Sequence, residues 1–365
     1  MGFQCGIVGL PNVGKSTLFN ALTQTAQAQA ENYPFCTIDP NVGEVAVPDP
    51  RLAEIAKIAG SAAIVPTRLT FVDIAGLVRG ASKGEGLGNQ FLAHIRAVDA
   101  IAHVLRCFED ADVTHVESGV DPIRDAETVE TELMLADLES LERRAEPLEK
   151  KVRGGDKEMA ASLDLMHRAI ALLADGKPAR RLARKPEEER EFRQLGLLSA
   201  KPVLYVCNVD EATAAAGNAH SAKIAAKAKA EGAAFIVISA KIEAEIAVLP
   251  AAERKEYLRA VGLAEPGLDR LVRAGYGLLN LITFFTANPR EAHAWTVKRG
   301  TKAPQAAGAV HSDFEKGFIR AETITYEDYV ALGGEAGARA AGKLRLEGKD
   351  YGVADGDVLL FRFAT

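Results

Sequence analysis

The sequence predicts an α/β protein: a doubly wound, mostly parallel sheet with a helical insertion, followed by a small mixed α/β domain. Three observations support this fold class. An apolar strand at 3–8 leads directly into a glycine-containing loop and a helix, later apolar strands at 68–72 and 202–207 also end in polar motifs, and short strands dominate after residue 280. Because parallel strands present their carboxyl ends at one edge of an open sheet, the motifs indicate a shared binding site there.

The loop after the first strand has the complete pattern of a phosphate-binding loop (P-loop). Residues 9–16 read Gly-Leu-Pro-Asn-Val-Gly-Lys-Ser, and the two glycines let successive N–H groups point into one concavity at a helix N-terminus. Lys15 is placed to reach the β- and γ-phosphates, and the Ser16 hydroxyl is placed to bind Mg²⁺. The predicted nucleotide-binding residues of this loop are Asn12, Val13, Gly14, Lys15, Ser16 and Thr17.

The composition is that of a globular protein with more than one domain. The 365 residues are 48% hydrophobic and 26% charged. The net charge of −6 argues against a protein that coats nucleic acid, so no DNA partner is expected. The four cysteines are far apart and form no C-x-x-C pair, which indicates reduced thiols. With no apolar run of the ~20 residues that span a bilayer and no leader segment, we expect a cytoplasmic protein without a membrane partner.

Two further motifs provide the other parts of a switch nucleotide hydrolase. Thr37, in the segment 33–38, is the predicted second hydroxyl ligand of Mg²⁺. The strand at 68–72 ends in Asp73-Ile74-Ala75-Gly76, where the carboxylate is placed to hold the magnesium shell and the Gly76 N–H to contact the γ-phosphate. The predicted metal ligands are Ser16, Thr37 and Asp73.

The residue after Gly76 departs from the usual GTPase pattern. Many GTPases have a glutamine there that orients the attacking water, whereas Leu77 has no hydrogen-bonding group. Hydrolysis must therefore use another group. The glycine-rich stretch 79–88 is interpreted as a mobile switch, with a plain surface loop as the alternative.

The base-reading loop is the second departure. Guanine-specific enzymes have Asn-Lys-x-Asp after the corresponding strand, whereas this chain has Asn208-Val209-Asp210-Glu211. The lysine is missing and Glu211 is one methylene longer than aspartate, which could remove roughly one or two decades of guanine preference. Adenine is therefore the predicted base. Ser239, after the strand at 234–238, lies in the position of the last nucleotide-contacting loop.

These motifs together carry a family resemblance. The chain resembles the YchF subfamily of Obg-related P-loop proteins, the Obg-like ATPases, in Gly-Leu-Pro-Asn-Val-Gly-Lys-Ser, Tyr-Pro-Phe-Cys-Thr-Ile, Asp-Ile-Ala-Gly-Leu-Val-Arg-Gly-Ala and Asn-Val-Asp-Glu, and along its whole length. The resemblance implies an ATPase of the translation-factor class that prefers ATP to GTP. It also implies an apolar residue in place of the catalytic glutamine and an association with ribosomes.

The resemblance further implies roles for individual residues. Asn208, the Val209 backbone and Glu211 would contact adenine, and Asn12 stands where potassium-stimulated relatives have a cation-binding asparagine, which adds K⁺ as a second cofactor. A histidine in the loop after the strand at 100–107 would help to position water, and His115 is the candidate, with a surface histidine of no role as the alternative. The predicted catalytic residues are His115, Lys15 and Gly76.

An α-helical insertion is predicted between the strands of the nucleotide domain. Apolar residues recur there in alternating steps of four and three, typical of an antiparallel coiled coil, with Pro147 expected to kink the first helix. The alternative is a pair of core helices. The arginine-rich run at 177–193 is interpreted as either solvated surface or an RNA contact. The predicted seam consists of Met134, Leu138, Leu141, Ala145, Leu148 and Val152 with Met159, Leu163, Met166, Ile170 and Leu173.

The last segment resembles a TGS domain, a β-grasp module found on translation-linked proteins, at 300–304 and 311–322. The predicted organisation is a nucleotide domain at 1–124 and 199–280, the insertion at 125–198 and the β-grasp domain at 281–365. We therefore expect a ribosome-associated ATPase that uses slow ATP hydrolysis as a conformational switch linked to translation or the stress response. Two alternatives stay open: a GTPase of ordinary Obg type, and a nucleotide-gated protein that binds the ribosome or RNA with incidental hydrolysis.

Overall fold

The computed structural model describes residues 3–30, 41–74, 87–110, 119–154, 156 and 159–364, without the side chains of 26–30, 87–89 and 251. The chain forms two compact units. Unit 1 comprises Phe3–Gly43 and Thr70–Leu271, and unit 2 comprises Glu44–Leu69 and Val272–Thr365.

Strands and helices alternate through most of the chain. The strands are β1 (Gln4–Val8), β2 (Val42–Ala46), β3 (Ala63–Val65), β4 (Arg68–Asp73), β5 (Ala100–Arg106), β6 (Val203–Asn208), β7 (Ala234–Ile238), β8 (Leu281–Ala287), β9 (Glu291–Lys298), β10 (Phe318–Ile324), β11 (Arg345–Glu347) and β12 (Val358–Phe363). The helices are α1 (Lys15–Ala30), α2 (Pro50–Ala59), α3 (Leu87–Ala97), α4 (Pro122–Arg153), α5 (Ala160–Ala174), α6 (Glu189–Leu195), α7 (Ala219–Glu231), α8 (Ala240–Val248), α9 (Ala251–Ala260), α10 (Gly267–Leu278), α11 (Ala303–Val310), α12 (Ser312–Lys316), α13 (Tyr326–Ala331) and α14 (Glu335–Ala340). Short 3-10 helices lie at Ala179–Arg181, Pro186–Glu188 and Glu211–Thr213.

The first sheet has the strand order β2-β4-β1-β5-β6-β7. β1 pairs in parallel with β4 and β5, and the parallel pairing continues through β6 to β7. All residues of β5 and β6 are buried, as expected of strands covered on both faces. The predicted doubly wound, mostly parallel sheet is confirmed, and the carboxyl ends of its central strands meet at one edge.

The helical insertion consists of α4 and α5, which contact each other along most of the predicted seam. Leu141, Ala145, Leu163, Met166 and Leu173 are buried, whereas Met159 is 37% exposed and lies just before α5 begins. The helices also share a core cluster with Phe192, Leu195 and Leu197, so a third layer covers the pair. Helix α4 continues through Pro147 to Arg153.

Unit 2 contains a mixed sheet with the strand order β11-β10-β12-β8-β9-β3. β8 is antiparallel to β9 and parallel to β12, and β10 is antiparallel to β11 and β12. Helix α11 contributes Ala303, Ala306 and Ala307 to a core with Phe284 and Phe318. The predicted small mixed sheet with a helix across one face is therefore observed.

The segment Glu44–Leu69 belongs to unit 2, although the sequence placed it within 1–124 of the nucleotide domain. β3 pairs in parallel with β9, and α2 buries Leu52 and Ile55 in a cluster with Phe285. Asp49 caps α2 and Gly60 ends it with φ 64°, so local signals set the helix while distant strands set its unit.

Within the described ranges, none of the helices has both the length and the apolar composition that a span requires.

Candidate nucleotide-binding site

The P-loop connects β1 to α1 with two residues in the left-handed region of φ. Asn12 has φ 64° and Gly14 has φ 88°. A Cβ on Gly14 would lie 2.2 Å from Asn208 Nδ2, so both the backbone angle and the space require glycine. Gly9 is equally confined, because a Cβ there would lie 2.8 Å from the Val104 carbonyl oxygen. The loop therefore turns tightly over the end of β5.

Lys15 and Asp73 form an ion pair at the mouth of this loop. Lys15 Nζ contacts Asp73 Oδ1, and the side chains are 11% and 19% exposed. The pair brings together the first residue of α1 and the last residue of β4, which are 58 positions apart. A triphosphate that enters the loop would compete with this carboxylate for the ammonium group.

The residues at the same edge fit a magnesium ion. Ser16 is exposed in the first turn of α1 and Asp73 ends β4, so both present oxygen donors of the kind that Mg²⁺ prefers. In the part of the chain that the structure describes, no group of three or more His, Cys, Asp or Glu residues could hold a metal. A magnesium ion here would be held by the Ser16 hydroxyl and the Asp73 carboxylate, together with phosphate and water oxygens.

Asn208 connects the P-loop to the loop after β7. Its side chain is buried, Nδ2 donates to the Val13 carbonyl at 3.0 Å, and Oδ1 accepts from the Ala240 N–H at 2.9 Å. With respect to the described residues, one amide hydrogen and one lone pair remain for a ligand. The predicted nucleotide-binding residue is therefore also the link that holds two loops of the site together.

A cavity of about 390 Å³ lies beside the P-loop, in the size range of small-molecule sites. It brings together Asn12, Gly14, Thr17, Asn208, Val209 and Glu211, all predicted as nucleotide-binding. Its other lining residues are Phe108, Glu109, Asp110, Asp210, Ala240 and Lys241, which the predicted site did not include. The sequence indicates most of these residues by position, because Phe108 to Asp110 come shortly after the end of β5 and Lys241 comes shortly after the end of β7.

Both acidic residues of the base-reading loop are engaged by protein groups. Glu211 forms an ion pair with Lys241, and this hydrogen bond lowers the pKa of the Glu211 carboxyl. Asp210 accepts from the Thr213 N–H at 2.9 Å and from its hydroxyl at 3.0 Å. The Val209 N–H donates to the Ile238 carbonyl at 2.9 Å, and among the described residues none donates a hydrogen bond to the Val209 carbonyl, which can therefore accept from a ligand.

Ser239 is buried at the N-terminal end of α8. Its side chain makes no capping hydrogen bond, and within the described ranges its hydroxyl oxygen has no hydrogen-bond partner. An unsatisfied buried hydroxyl costs free energy, so a ligand that supplied a partner would be stabilised here. Ser239 is not among the residues that line the cavity, and its nucleotide-binding role stays a prediction.

Several predicted residues lie outside the described residues. They are the predicted magnesium ligand Thr37, the catalytic candidates Gly76 and His115, the substituted position Leu77 and the loop 79–86.

The arginine-rich run after the insertion is paired within unit 1. Arg180 contacts Glu130 and lies 3.3 Å from Glu231, and the Arg184 guanidinium lies 3.9 Å from the centre of the Phe192 ring. Arg180 is only 17% exposed. Of the two interpretations of this run, these contacts favour a structural role for Arg180 and Arg184.

Two family models match separate parts of the chain. Residues 4–136 match the family described as 50S ribosome-binding GTPase, and residues 281–364 match the YchF GTPase C-terminal family, described as a protein of unknown function. The first match covers the P-loop and Asp73, and the second covers the sheet strands of unit 2 from β8 onward.

Full-length relatives carry the same combination. The chain is 53% identical to the ribosome-binding ATPase YchF of Haemophilus influenzae, covering 100% of this chain and 99% of that protein, and 53% identical to that of Bacillus subtilis, covering 100% of both. It is 47% identical to human Obg-like ATPase 1, covering 99% and 92%. The solved structure of the Schizosaccharomyces pombe YchF GTPase matches with a TM-score of 0.90 at 38% identity, covering 99% and 98%. The chain therefore belongs to the YchF and Obg-like ATPase family of P-loop nucleotide hydrolases.

Proposed function

We propose that this chain is a cytoplasmic ATPase that binds ATP in preference to GTP, hydrolyses it slowly to ADP and phosphate, and acts as a nucleotide-controlled switch on the ribosome. The base preference is inferred from the base-reading loop, in which both carboxylates are engaged by protein groups. Guanine has two hydrogen-bond donors, and a free carboxylate would accept a hydrogen bond from each of them. Here the Glu211 carboxylate is paired with Lys241 and the Asp210 carboxylate caps its own turn.

The remaining cavity suits adenine, which has an exocyclic amine beside a ring nitrogen that accepts instead of the guanine N1–H donor. The Asn208 amide keeps one free hydrogen for a ring nitrogen, Val209 keeps its carbonyl for an exocyclic amine, and Phe108 adds an apolar wall. Adenine has both of these hydrogen-bonding groups. We accordingly assign Asn208, Val209 and Glu211 to the base end of the site. We propose Ser239, buried at the start of α8, as a further contact.

The phosphate end follows from the ion pair of Lys15 with Asp73. When the triphosphate occupies the P-loop, Lys15 donates to the β- and γ-phosphates instead, and Asp73 becomes available to the magnesium shell. Mg²⁺ held by Ser16 and Asp73 would neutralise charge on the phosphates. We further propose Thr37 as a third magnesium ligand, the Gly76 N–H as a γ-phosphate contact, His115 as the group that positions water, and K⁺ at Asn12.

The proposed ribosome partner is inferred from the names of similar proteins. The Haemophilus influenzae and Bacillus subtilis proteins are named ribosome-binding ATPases, and the family of residues 4–136 is described as 50S ribosome-binding. We propose that this chain contacts the large subunit or the whole ribosome, through ribosomal RNA or protein, and that ATP controls the contact.

The base preference is tested by competition. ATP and GTP, each with Mg²⁺, are titrated against a fluorescent ATP analogue bound to the protein, and we expect GTP to bind at least about tenfold more weakly. GTP that binds tenfold more tightly would establish the ordinary GTPase alternative. Chelating Mg²⁺ in a parallel titration should weaken ATP binding and leave the order of the two nucleotides unchanged.

The switch and the catalytic histidine need separate experiments. Single-turnover ATP hydrolysis should slow in His115→Ala, and a rate unchanged by this substitution would contradict the assignment of His115.

The amount of protein that co-sediments with ribosomal subunits should differ between a non-hydrolysable ATP analogue and ADP. This difference should vanish in Lys15→Ala, which removes the proposed phosphate contact and changes no other residue. Equal sedimentation in both nucleotide states would contradict the switch.

A further inference from the structure

Arg106 is a buried cation at the end of a fully buried strand. It is the last residue of β5, is 2% exposed, and is among the largest fully buried side chains of the described residues. A guanidinium in such a place is costly unless its N–H donors find acceptors. Its acceptors therefore show what it holds.

Two of its acceptors are backbone carbonyls of the turn that follows β5. Arg106 Nε donates to the Phe108 carbonyl and Nη2 donates to the Asp110 carbonyl, each at 3.2 Å. The guanidinium carbon also lies 4.7 Å from the centre of the Phe108 ring, within the range of a cation–π contact. One side chain thus fixes two backbone positions and one aromatic ring.

The same turn forms one wall of the nucleotide cavity. Phe108, Glu109 and Asp110 line that cavity opposite residues of the P-loop and of the base-reading loop. The start of the turn is held as well, because the Cys107 N–H donates to the Asn208 carbonyl at 2.8 Å and its carbonyl accepts from Asn218 Nδ2 at 2.6 Å. Without Arg106, the carbonyls of Phe108 and Asp110 would lose the hydrogen bonds that Arg106 donates to them.

We infer that Arg106 is a positioning residue for nucleotide binding, which holds the Phe108 to Asp110 wall in the conformation that accepts the base. A wall already ordered before binding spares the ligand the entropy cost of ordering it. An aromatic ring fixed at the cavity edge offers its face to any purine. The inference rests on the proposed function only in that the cavity takes a purine nucleotide, and it holds for ATP and GTP alike.

A purely structural role would make a different prediction. If Arg106 only stabilised the end of β5, replacing it would lower the melting temperature without a specific effect through Phe108. If it acts by positioning the wall, its effect on nucleotide affinity should depend on the Phe108 ring. A double-mutant cycle separates the two roles, because residues that act through one another give non-additive effects.

The test measures the dissociation constants of ATP, ADP and GTP analogues that carry a methylanthraniloyl fluorophore, for the full chain and its variants. We expect Arg106→Met to weaken binding about tenfold and Arg106→Lys, which keeps the charge but not the planar fork, about threefold. In a Phe108→Ala background, Arg106→Met should weaken binding by less than about twofold. Arg144→Met is the control, because Arg144 donates to the Leu195 carbonyl within the helical insertion, and it should leave affinity unchanged.

Each outcome decides the inference. Wild-type affinity in Arg106→Met, or fully multiplicative effects in the double variant, would overturn it. If Arg106→Met does not fold, Arg106→Lys decides, and an affinity equal to the wild type would overturn the inference. A wild-type protein that binds the GTP analogue more tightly would contradict the proposed ATP preference instead, and the Arg106 factor would still be measured with that analogue.

Discussion

Asn208 shows how much of this site depends on single buried polar side chains. Its amide satisfies a P-loop carbonyl and an N–H at the start of α8, and it leaves no room for a Cβ on Gly14. The shape of the P-loop is thus set partly by a residue 195 positions away from Val13.

Replacing Asn208 with alanine removes both hydrogen bonds and leaves two buried groups unsatisfied. We expect Asn208→Ala to lower the free energy of unfolding by about 1–3 kcal/mol and to weaken ATP binding, because the P-loop is no longer held to α8. Isothermal titration with MgATP and urea unfolding measure the two effects. Asn288→Ala is the control, since it removes two hydrogen bonds from unit 2, and unchanged ATP affinity in Asn208→Ala would contradict the prediction.

His103 lies in the middle of β5 without the usual solvent contact. It is buried, its Nε2 has no hydrogen-bond partner among the described residues, and it lies beside the Tyr205 ring at 6.1 Å. Burial, together with the charges of Lys227 and Arg180, lowers the pKa of His103 to about 3. The imidazole is therefore neutral throughout the physiological range.

The low pKa predicts a specific dependence of stability on pH. The pKa of His103 is about 3 in the folded protein against an ordinary 6.5, so the unfolded chain takes up the proton first. The contribution of the neutral His103 ring to the free energy of unfolding is fully present above about pH 6.5. It decreases by about 1.4 kcal/mol per pH unit as the pH falls toward 3.

His103→Phe should lack this loss, so its stability advantage over the wild type should grow as pH falls. Urea unfolding between about pH 7.5 and about pH 4.5 measures it. Exposed His167→Gln serves as the control and should follow the wild type. A difference between His103→Phe and the wild type that stays constant with pH would show that His103 binds its proton equally well in the folded and unfolded states, and would contradict the prediction.

At the scale of elements, the helical insertion is fixed by both apolar and polar contacts. Leu141 of α4 is fully buried in the cluster with α5 and α6. Asp137, one turn earlier, accepts from the Leu198 N–H, the Ser199 N–H and the Ser199 hydroxyl at 2.7–2.8 Å. The helix is thereby joined to the segment that leads into β6 and the base-reading loop.

The apolar part of this attachment can be measured with a matched pair on α4. Leu141→Ala should lower the free energy of unfolding by about 2–5 kcal/mol, because a buried side chain leaves a cavity. Leu135→Ala changes a residue that is 41% exposed, and it should cost less than about 1 kcal/mol. Equal losses in the two variants, measured by urea unfolding, would contradict the observed packing of the helix.

At the scale of the whole molecule, unit 2 is built from two separate stretches of the chain. The cluster around Phe285 takes Leu52, Ile55 and Ala56 from α2, and β3 forms the edge of the sheet beside β9. The C-terminal family match begins at residue 281 and leaves these elements out.

A fragment of residues 272–365 alone should therefore be much less stable than unit 2. Each large apolar side chain missing from its core costs about 2–5 kcal/mol, comparable to much of a small domain's stability. Joining 44–69 to 272–365 through a flexible linker should restore a cooperative thermal transition, followed by circular dichroism. An equally cooperative transition at the same temperature in the short fragment would show that α2 and β3 are dispensable.

The sequence by itself determined the parts whose evidence lies within a few adjacent residues. The P-loop, the strand-terminal motifs at Asp73 and Asn208, the apolar seam of α4 and α5 and the small sheet of unit 2 were predicted in this way, because strand period, helix period and loop chemistry are local properties.

Only the tertiary structure decided which distant groups meet. It placed Glu44–Leu69 in unit 2, paired Lys241 with Glu211, and put Arg106 behind the Phe108 wall. The physical reason is that these contacts depend on how separate strands and loops pack against one another. The residues adjacent to a side chain in the sequence do not indicate a partner that lies tens or hundreds of residues away.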